Sequence, residues 1–457
     1  VSGLDVVILA AGAGKRMYST LPKVLHKLAG KPLLQHVLDT AQCLLPSQIC
    51  IVYGHGGELV RSALDDPSLV WIEQAQRLGT GHALKQALPV LRADEATLVL
   101  FGDVPLVKSE TLELLVRQAH TNCLALLTVK LNDPTGYGRI VRDAVTGDIR
   151  AIVEEKDANT AQRAINEINT GIMLLPNKFL SDWLARLDNA NNQGEYYLTD
   201  IVAMAVKDGI RVISASPANS WESSGVNNKL QLAELERIYQ RNYANKLMLQ
   251  GVMLADPARI DIRGRLNCGS DVEIDINCLF EGNVELGDRV KIQANCVLRD
   301  VAIADGTVVS AFTLIEHTTI GQNCRIGPYA RIRPGTYLDQ DVHIGNFVEI
   351  KNSQIAAGSK VNHLSYIGDS QIGRNVNVGA GTITCNYDGA HKHRTIIEDN
   401  VFIGSDCQLI APVKVARGAT IGAGSTITRD APAEQLSLSR SRQTSIPNWK
   451  RPKKDHT

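Results

Sequence analysis

A large apolar residue that returns every sixth position constrains this chain more than any other feature. It runs through Ile274, Phe280, Leu286, Ile292 and Leu298, and again through Ile403, Leu409, Val415, Ile421 and Ile427. A third run steps from Val308 through Leu314, Ile320, Ile326, Ile332, Leu338 and Ile344 to Ile350. Glycine often follows, as in Leu286-Gly287, Ile344-Gly345 and Ile403-Gly404, and a small residue stands four places on, as at Cys278, Cys296, Cys324, Cys407 and Ala419. A period of six fits neither the 3.6 residues of a helical turn nor the alternation of a strand. It fits a parallel β-helix, where each hexapeptide forms one short strand and a turn and stacked coils share a continuous core. The aliphatic is expected to fill the interior, and the glycine to let the backbone turn without a Cβ clash. No tryptophan lies in residues 272–427, as a narrow interior requires. Evenly spaced ordinary strands are the competing reading, and three in-register runs outweigh it.

A chain of 457 residues predicts two or three domains. Lys plus Arg and Asp plus Glu balance at 48 each, which excludes bulk attraction to nucleic acid or a membrane surface. No window reaches the ~18 apolar residues of a membrane span and no leader pattern opens the chain, so a cytoplasmic protein is expected. None of the nine cysteines pairs as Cys-x-x-Cys. The four at the small position of the hexapeptide read as buried hydrophobes, not as disulfides or metal ligands.

Residues 1–227 alternate strands (5–10, 48–53, 96–101) with helices (32–45, 57–64, 81–91), the pattern of an open, mostly parallel α/β sheet. In such sheets ligands gather beyond the carboxyl ends of the strands. The first such loop is Gly12-Ala13-Gly14-Lys15-Arg16-Met17. It is no Walker A loop, because Gly14 has no glycine five before it and Arg16 stands for the Ser/Thr. Nor is it a Rossmann fingerprint, since Met17 replaces the third glycine. Bare amides with Arg16 and Lys23 suit a phosphate chain, although a tight turn explains the loop equally well. Asp103 follows the strand 96–101 and is placed to hold a Mg²⁺ that bridges phosphates, yet a lone strand-end aspartate more often caps a turn.

Residues 228–251 form one long helical pattern that Asn228 would cap and Gly251 would stop. At 1.5 Å per residue it spans about 30–35 Å and is expected to hold the two halves apart. Within the repeats the step slips at Ile355 and Ile372 and breaks between Gly381 and Thr395. Loops thrown out of a solenoid commonly carry its function. Arg331, Arg333, Glu349, Lys351, Asn362, His363, Tyr366 and Asn377 cluster near them. A lone histidine is more often a surface residue; cations and a tyrosine around His363 favour a role.

The motifs Leu9-Ala-Ala-Gly12-x-Gly14-x-Arg16-Met17, Leu21-Pro22-Lys23, Gly79-Thr80-Gly81-His82, Gly102-Asp103-Val104-Pro105, Asp133-Pro-Thr-Gly-Tyr-Gly-Arg139, Glu167-Ile-Asn-Thr-Gly171 and Gly225-Val226-Asn227-Asn228 resemble those of sugar-1-phosphate nucleotidyltransferases. With the hexapeptide half, the chain is similar to the bacterial family of bifunctional N-acetylglucosamine-1-phosphate uridyltransferase/glucosamine-1-phosphate N-acetyltransferases. The resemblance covers nearly the whole chain. One departure is visible: the family usually has threonine where this chain has Lys15.

The resemblance implies a Rossmann-like nucleotidyltransferase domain (1–227), a linker helix (228–250) and a left-handed parallel β-helix acetyltransferase domain with a C-terminal tail (251–457). It implies a nucleotide and phosphate site at Leu9, Ala10, Ala11, Gly12, Gly14, Arg16 and Lys23, flanked by Phe101 and Gly102. Gln74, Gly79 and Thr80 would read the uracil; Gly138, Glu154 and Asn169 would hold the sugar; Asp103 and Asn227 would coordinate Mg²⁺. In the second half it implies His363 as the general base on the glucosamine amine, a task for a side chain that exchanges protons near neutrality. Glu349 would orient the imidazole, Arg333 and Lys351 would hold the sugar phosphate, and Tyr366 and Asn377 the sugar. Ala380, Asn386, Tyr387, Ser405, Ala423 and Arg440 match acetyl-CoA positions. Family trimers complete this site between chains, so a homotrimer is implied. The tail from Pro432, with Arg440 and Arg442, would be partly ordered around the coenzyme, and beyond Pro447 a solvated basic end is expected.

The substrates implied are UTP, glucosamine-1-phosphate, N-acetylglucosamine-1-phosphate and acetyl-CoA. Two rival readings stand beside this one. A monofunctional sugar-1-phosphate nucleotidyltransferase with a regulatory β-helix would not need Asn362-His363-x-x-Tyr366 or Asn386-Tyr387. A non-catalytic interaction subunit would not be expected to keep Gly14, Arg16, Lys23, Asp103 and Asn227 together.

Overall fold

The apolar run Leu4–Ala10 is buried along its whole length and forms the first strand, β1, in the computed structural model, which describes residues 3–54, 56–118 and 123–454. A strand without alternation must be covered on both faces. Its neighbours are β2 (Gln48–Tyr53), β3 (Val70–Glu73), β4 (Ala96–Phe101), β5 (Cys123–Lys130), β6 (Arg139–Arg142), β7 (Ile149–Val153), β8 (Glu167–Pro176) and β9 (Arg211–Ala215). They order as β9-β5-β8-β4-β1-β2-β3, with β6 pairing to β8 and β7 to β6. β8 runs antiparallel to both β4 and β5, while β9-β5, β4-β1, β1-β2 and β2-β3 are parallel.

Alternate side chains of the sheet enter two cores. Val6, Ile8, Leu98 and Leu100 meet Leu34 and Leu38 of helix α1 (Leu33–Gln42) on one face. Val7, Leu9 and Val99 meet Ala83 and Leu84 of α2 (Thr80–Ala87) and Leu180 and Trp183 of α3 (Asn177–Arg186) on the other. β1 has β2 on one side and β4 on the other, so the chain reverses direction across the sheet there, and the loops after β1 and β4 diverge over a crevice. The helix read over 81–91 is α2 followed by a 3-10 turn at Leu88–Val90. Pro89 has no N–H for the helical ladder, which ends the α-helix early.

The chain divides into units Val1–Tyr239 and Gln240–Thr457. The helical pattern read over 228–251 is α4, Lys229–Leu249, and the division falls within it. In the second unit Gln240 docks like a strand residue: its amide donates to the Ile262 carbonyl at 2.9 Å and accepts the Ile262 N–H at 2.8 Å.

That second unit is a parallel β-helix with three rows of short strands. One row of 11 strands runs from Met253–Leu254 to Leu436–Ser437; the other two belong to a 15-stranded sheet that forks at Leu314–Ile320. Successive coils stack residues 17 or 18 apart, three hexapeptides per turn, and 25 apart where the break after Gly381 is thrown out. The shorter coils have a physical cause. At one corner a single left-handed residue, Asp300 (φ 49), His317 (φ 45), Asn352 (φ 45) or Asp369 (φ 47), does the work of a longer corner such as Gly282-Asn283. This corrects the third hexapeptide run. Val309 and Ile315 are the core positions, 0% exposed, while Val308 and Leu314 are part-exposed, because a one-residue slip turns side chains to the opposite face.

The role expected of the glycines is also revised. Asn277, Asn295 and Asn323 make left-handed turns at φ 55 to 60. Gly345 is needed for stacking, since a Cβ there would lie 2.0 Å from the Asn362 carbonyl oxygen on the next coil. Cys278, Cys296, Cys324 and Cys407 are free and buried, and their thiols point to carbonyls, Cys324 Sγ to Asp339 O at 3.0 Å. Burial pushes Cys278 up to about 12 and Cys324 up to about 11, which removes them from thiolate chemistry. No described helix is long and apolar enough to cross a membrane.

Candidate active sites

Leu9 of β1 pairs with Phe101 of β4, so the two following loops leave the sheet at the same level. Gly102 N donates to Leu9 O at 3.0 Å, which ties them together. Gly14 is left-handed (φ 60) and opens the 3-10 turn Lys15–Met17; a Cβ there would stand 2.9 Å from Lys23 Cβ. Lys23 is thereby held against the glycine loop. Its ammonium pairs with the Asp103 carboxylate and donates to Asn227 Oδ1 at 3.4 Å. Asn227 arrives from a distant stretch, fixed by Val226 N to Asp103 O and by its own N–H to Gln231 Oε1, both at 2.8 Å.

Two hard oxygens therefore converge on one cation. The ammonium stands where a divalent ion would sit, and the donor set fits one. Among the described residues no three His, Cys, Asp or Glu side chains gather as a metal cage. Such an ion would take these two oxygens and find its remaining ligands in phosphates and water.

The cavity here measures about 450 Å³ and is lined by Leu9 to Ala13, Lys15, Lys23, Val24, Gln74, Arg77, Gly79, Thr80, Ala83, Phe101, Asp103 and Glu195. Gln74 is 4% exposed and donates to Gly79 O at 3.1 Å. Gly79 (φ 105) admits no side chain, because a Cβ would lie 2.6 Å from the Tyr196 carbonyl. Thr80 Oγ1 accepts the Leu198 N–H at 3.2 Å. Arg16 is exposed and outside the lining. Lys15, Arg77 and Glu195 are in the lining without having been expected there. Lys15 had announced itself as the one departure from the family motif; Arg77 and Glu195 carry no pattern of their own.

Gly138, Glu154 and Asn169 form a second cluster. Asn169 N donates to Gly138 O at 2.8 Å, and a Cβ on Gly138 would come within 3.3 Å of both Glu154 carboxylate oxygens. The Thr199 hydroxyl, unforeseen from sequence, donates to Glu154 Oε1 at 3.0 Å. Burial pushes the Glu154 carboxyl up. Asn169 is 8% exposed and its Oδ1 has no partner, an acceptor left for a ligand. β8 shifts register between Asn169 and Met173, and a Cβ on Gly171 there would lie 2.5 Å from the Phe101 ring, so the cluster abuts the cavity wall.

On the β-helix, Arg331, Glu349 and Tyr366 stack in register on successive coils, with Lys351 beside Gly368. Arg333 pairs with Glu349 at 2.8 Å, Lys351 lies 3.9 Å from Asp369, and Asn386 also bonds Asp369. His363 pairs in register with Asn346, and its Nδ1 lies 2.9 Å from Asn346 Oδ1. Within this chain the orienting role expected of Glu349 has a second candidate in Asn346. Glu349 is engaged by Arg333, and Asn346 holds the ring. An Nδ1–H donated to that oxygen leaves the Nε2 lone pair free.

Asn377 stacks with Lys360 and Phe402 on the 11-strand row, apart from Tyr366, so one chain does not bring these two together. Ala380, Ser405 and Ala423 form a ladder along one corner: Asp406 N bonds Ala380 O, Gly424 N bonds Ser405 O, and Arg440 Nη1 donates to Ala423 O at 2.6 Å. Tyr387 is 62% exposed on the inserted loop. The Asp388 carboxylate pins that loop, accepting from the Ala390 and His391 N–H groups and from His393, which holds it well below the usual carboxylate range. A hollow of about 510 Å³ on another row, between Tyr337 and Arg417, contains none of these residues.

Residues 6–169 match the MobA-like NTP transferase domain, 262–342 the GMPPB C-terminal domain, and 394–429 the bacterial transferase hexapeptide (six repeats). Proteins described as bifunctional protein GlmU are similar over the full length. That of Nitrosomonas eutropha is 69% identical over 453 residues, 99% of each chain, and that of Nitrosospira multiformis 65% identical over 454, again 99% of each. That of Azoarcus sp. is 62% identical over 451 residues, 99% of this chain and all of its own. The chain belongs to the GlmU family of bifunctional proteins. Within that family its first unit is a nucleotidyltransferase and its second a hexapeptide acyltransferase.

Proposed function

We propose that this GlmU-family chain acetylates glucosamine-1-phosphate with acetyl-CoA on its β-helix, and then transfers uridylyl from UTP to N-acetylglucosamine-1-phosphate in its α/β unit. The convergence of Asp103 and Asn227 oxygens on the Lys23 ammonium, at the point where the sheet reverses, carries the second half of this reading. A Mg²⁺ held by Asp103 and Asn227 would neutralise phosphate charge and polarise the α-phosphorus. Gln74, Gly79 and Thr80 read the uracil, while Gly138, Glu154 and Asn169 hold the sugar. The unpartnered Asn169 Oδ1 accepts an N–H or O–H from it. An oxygen of the sugar phosphate attacks the α-phosphorus in line and pyrophosphate leaves, with no protein nucleophile. The bare amides after β1, Arg16 and Lys23 meet the charge that spreads over the phosphate oxygens.

In the β-helix, His363 Nε2 takes a proton from the glucosamine amine as that nitrogen bonds to the acetyl carbon. The tetrahedral intermediate then expels the coenzyme A thiolate. Asn346 sets the tautomer that makes this possible. Arg333 and Lys351 hold the sugar phosphate, with Glu349 fixing Arg333 by their 2.8 Å pair. Tyr366 and Asn377 hold the sugar, and Ala380, Asn386, Tyr387, Ser405, Ala423 and Arg440 line the coenzyme. The separation of Asn377 from Tyr366 within one chain supports completion of the site by a neighbouring copy, in a homotrimer. Both co-substrates are metabolites of the cytoplasm, where this enzyme would work.

The test is coupled turnover of glucosamine-1-phosphate, acetyl-CoA, UTP and Mg²⁺, with UDP-N-acetylglucosamine sought by mass spectrometry. Its formation from the amino sugar is expected. Product only when N-acetylglucosamine-1-phosphate is supplied would reduce the chain to a uridylyltransferase with a non-catalytic β-helix.

A further inference from the structure

The nucleotide cavity contains more positive charge than the roles above use. Lys23 is committed to Asp103 and Asn227 at the reacting end. Lys15 and Arg77 also line the cavity, both exposed, and neither side chain has a hydrogen-bond or ion-pair partner among the described residues. Arg139 and Arg142 of this unit are, by contrast, engaged, with Glu155 at 2.6 Å and with Glu167 at 2.7 Å.

Local structure places the two cations deliberately. Lys15 is the first residue of the 3-10 turn that the left-handed Gly14 opens, on the loop of bare amides. Ala13, the residue between the glycines, brings no charge of its own. Arg77 stands between Gln74, which faces the base, and Gly79, whose conformation locks that turn. Among the described residues the only lining carboxylate besides Asp103 is Glu195, which forms an ion pair with neither cation. A triphosphate carries more negative charge than one lysine and one divalent ion neutralise. Its two terminal phosphates need donors at the cavity rim, and a guanidinium and an ammonium on the same cavity lining can supply them.

We propose that Lys15 and Arg77 together grip the two terminal phosphates of the nucleoside triphosphate, the group that departs as pyrophosphate. This rests on the uridylyl-transfer reading. It makes the pair a specificity device: UTP and pyrophosphate feel it, whereas the sugar phosphate and the nucleotide sugar, which lack those phosphates, do not.

The test uses Lys15→Thr, Arg77→Gln and the double variant of the full chain, assayed in both directions. Each single change is expected to raise KM for UTP, and for inorganic pyrophosphate in the reverse reaction, about tenfold, the worth of one charge-assisted hydrogen bond. KM for N-acetylglucosamine-1-phosphate and the affinity for UDP-N-acetylglucosamine should stay within about twofold. The double variant should lose less than the product of the singles, because both cations hold one group. The unchanged KM for N-acetylglucosamine-1-phosphate verifies that the α/β unit is folded. KM values for UTP and pyrophosphate that do not move would overturn the proposal. So would an equal loss of affinity for UDP-N-acetylglucosamine, which would put the cations on the part of the ligand that stays. A wild-type protein without uridylyl transfer would instead refute the functional reading beneath it, and the proposal with it.

Discussion

The α/β unit and the β-helix solve the problem of making a site in opposite ways. Where β1 and β4 end side by side, the loops diverge and enclose about 450 Å³ with walls from stretches as distant as Leu9 and Glu195. In the β-helix, coils stack so tightly that even a methyl group on Gly345 would overlap the next backbone. Its interior is solid, so its candidate functional groups stand outside, in columns such as Arg331-Glu349-Tyr366. A sheet with a reversal point encloses a cavity between its loops; a solenoid displays its groups on an outer face.

The strongest way to break this contrast is to disable each unit alone. Asp103→Ala should lower uridylyl transfer about 10³–10⁴-fold, since it removes the carboxylate that holds Lys23 and is proposed to hold the metal, and should leave acetyl transfer intact. Activity within about tenfold of wild type would remove Asp103 from the metal site. His363→Ala should lower acetyl transfer about 10²–10⁴-fold, the worth of a positioned general base, with uridylyl transfer unchanged. A loss of both activities would mean that His363 supports folding.

Packing offers a second contrast. Gly345→Ala should destabilise the β-helix by about 3 kcal/mol, because its Cβ meets backbone 2.0 Å away that cannot retreat. Gly147→Ala, left-handed at φ 75 but with nothing within 4 Å, should cost only about 1 kcal/mol in the α/β unit. Denaturant titration of both variants separates them; equal losses would show that stacking does not limit the coils. A smaller effect sharpens the acetyl site. Asn346→Ala should lower acetyl kcat about tenfold by releasing the imidazole, whereas Glu349→Gln should act on KM for the sugar phosphate.

Much of this was legible in the sequence, for identifiable reasons. A hexapeptide period has one architectural solution, and strand-helix alternation has few, so both halves could be read. The third run went astray at Val308 and Leu314 because the period does not register a corner shortened by one left-handed Asp300 or His317. Asn346 carried no signal of its own beside His363, because it sits on the same neighbouring coil as Glu349 and only the register sets it against the ring. Thr199, Arg77 and Glu195 come from loops that fold back over the sheet, and no local pattern marks them.

The smallest expected effect concerns pH. Asp5 is fully buried beneath the sheet, and burial pushes its carboxyl above the usual 3.8. The folded state thus favours the protonated form, so this group's contribution is best below the unfolded pKa and is lost as pH rises through the folded one. Asp5→Asn should therefore be up to about 1 kcal/mol more stable than wild type at pH 7. The gap should close as pH falls toward 4. A gap that widens in acid would contradict the direction of the shift.

The claim that the two reactions proceed independently in the two units is tested most directly by mixing. Asp103→Ala and His363→Ala proteins, each unable to make UDP-N-acetylglucosamine from glucosamine-1-phosphate, acetyl-CoA, UTP and Mg²⁺, are combined and the product is followed by mass spectrometry. The account predicts product from the mixture, because N-acetylglucosamine-1-phosphate made by the first variant is free to reach the second. A silent mixture, with each variant still performing its own half-reaction, would contradict it.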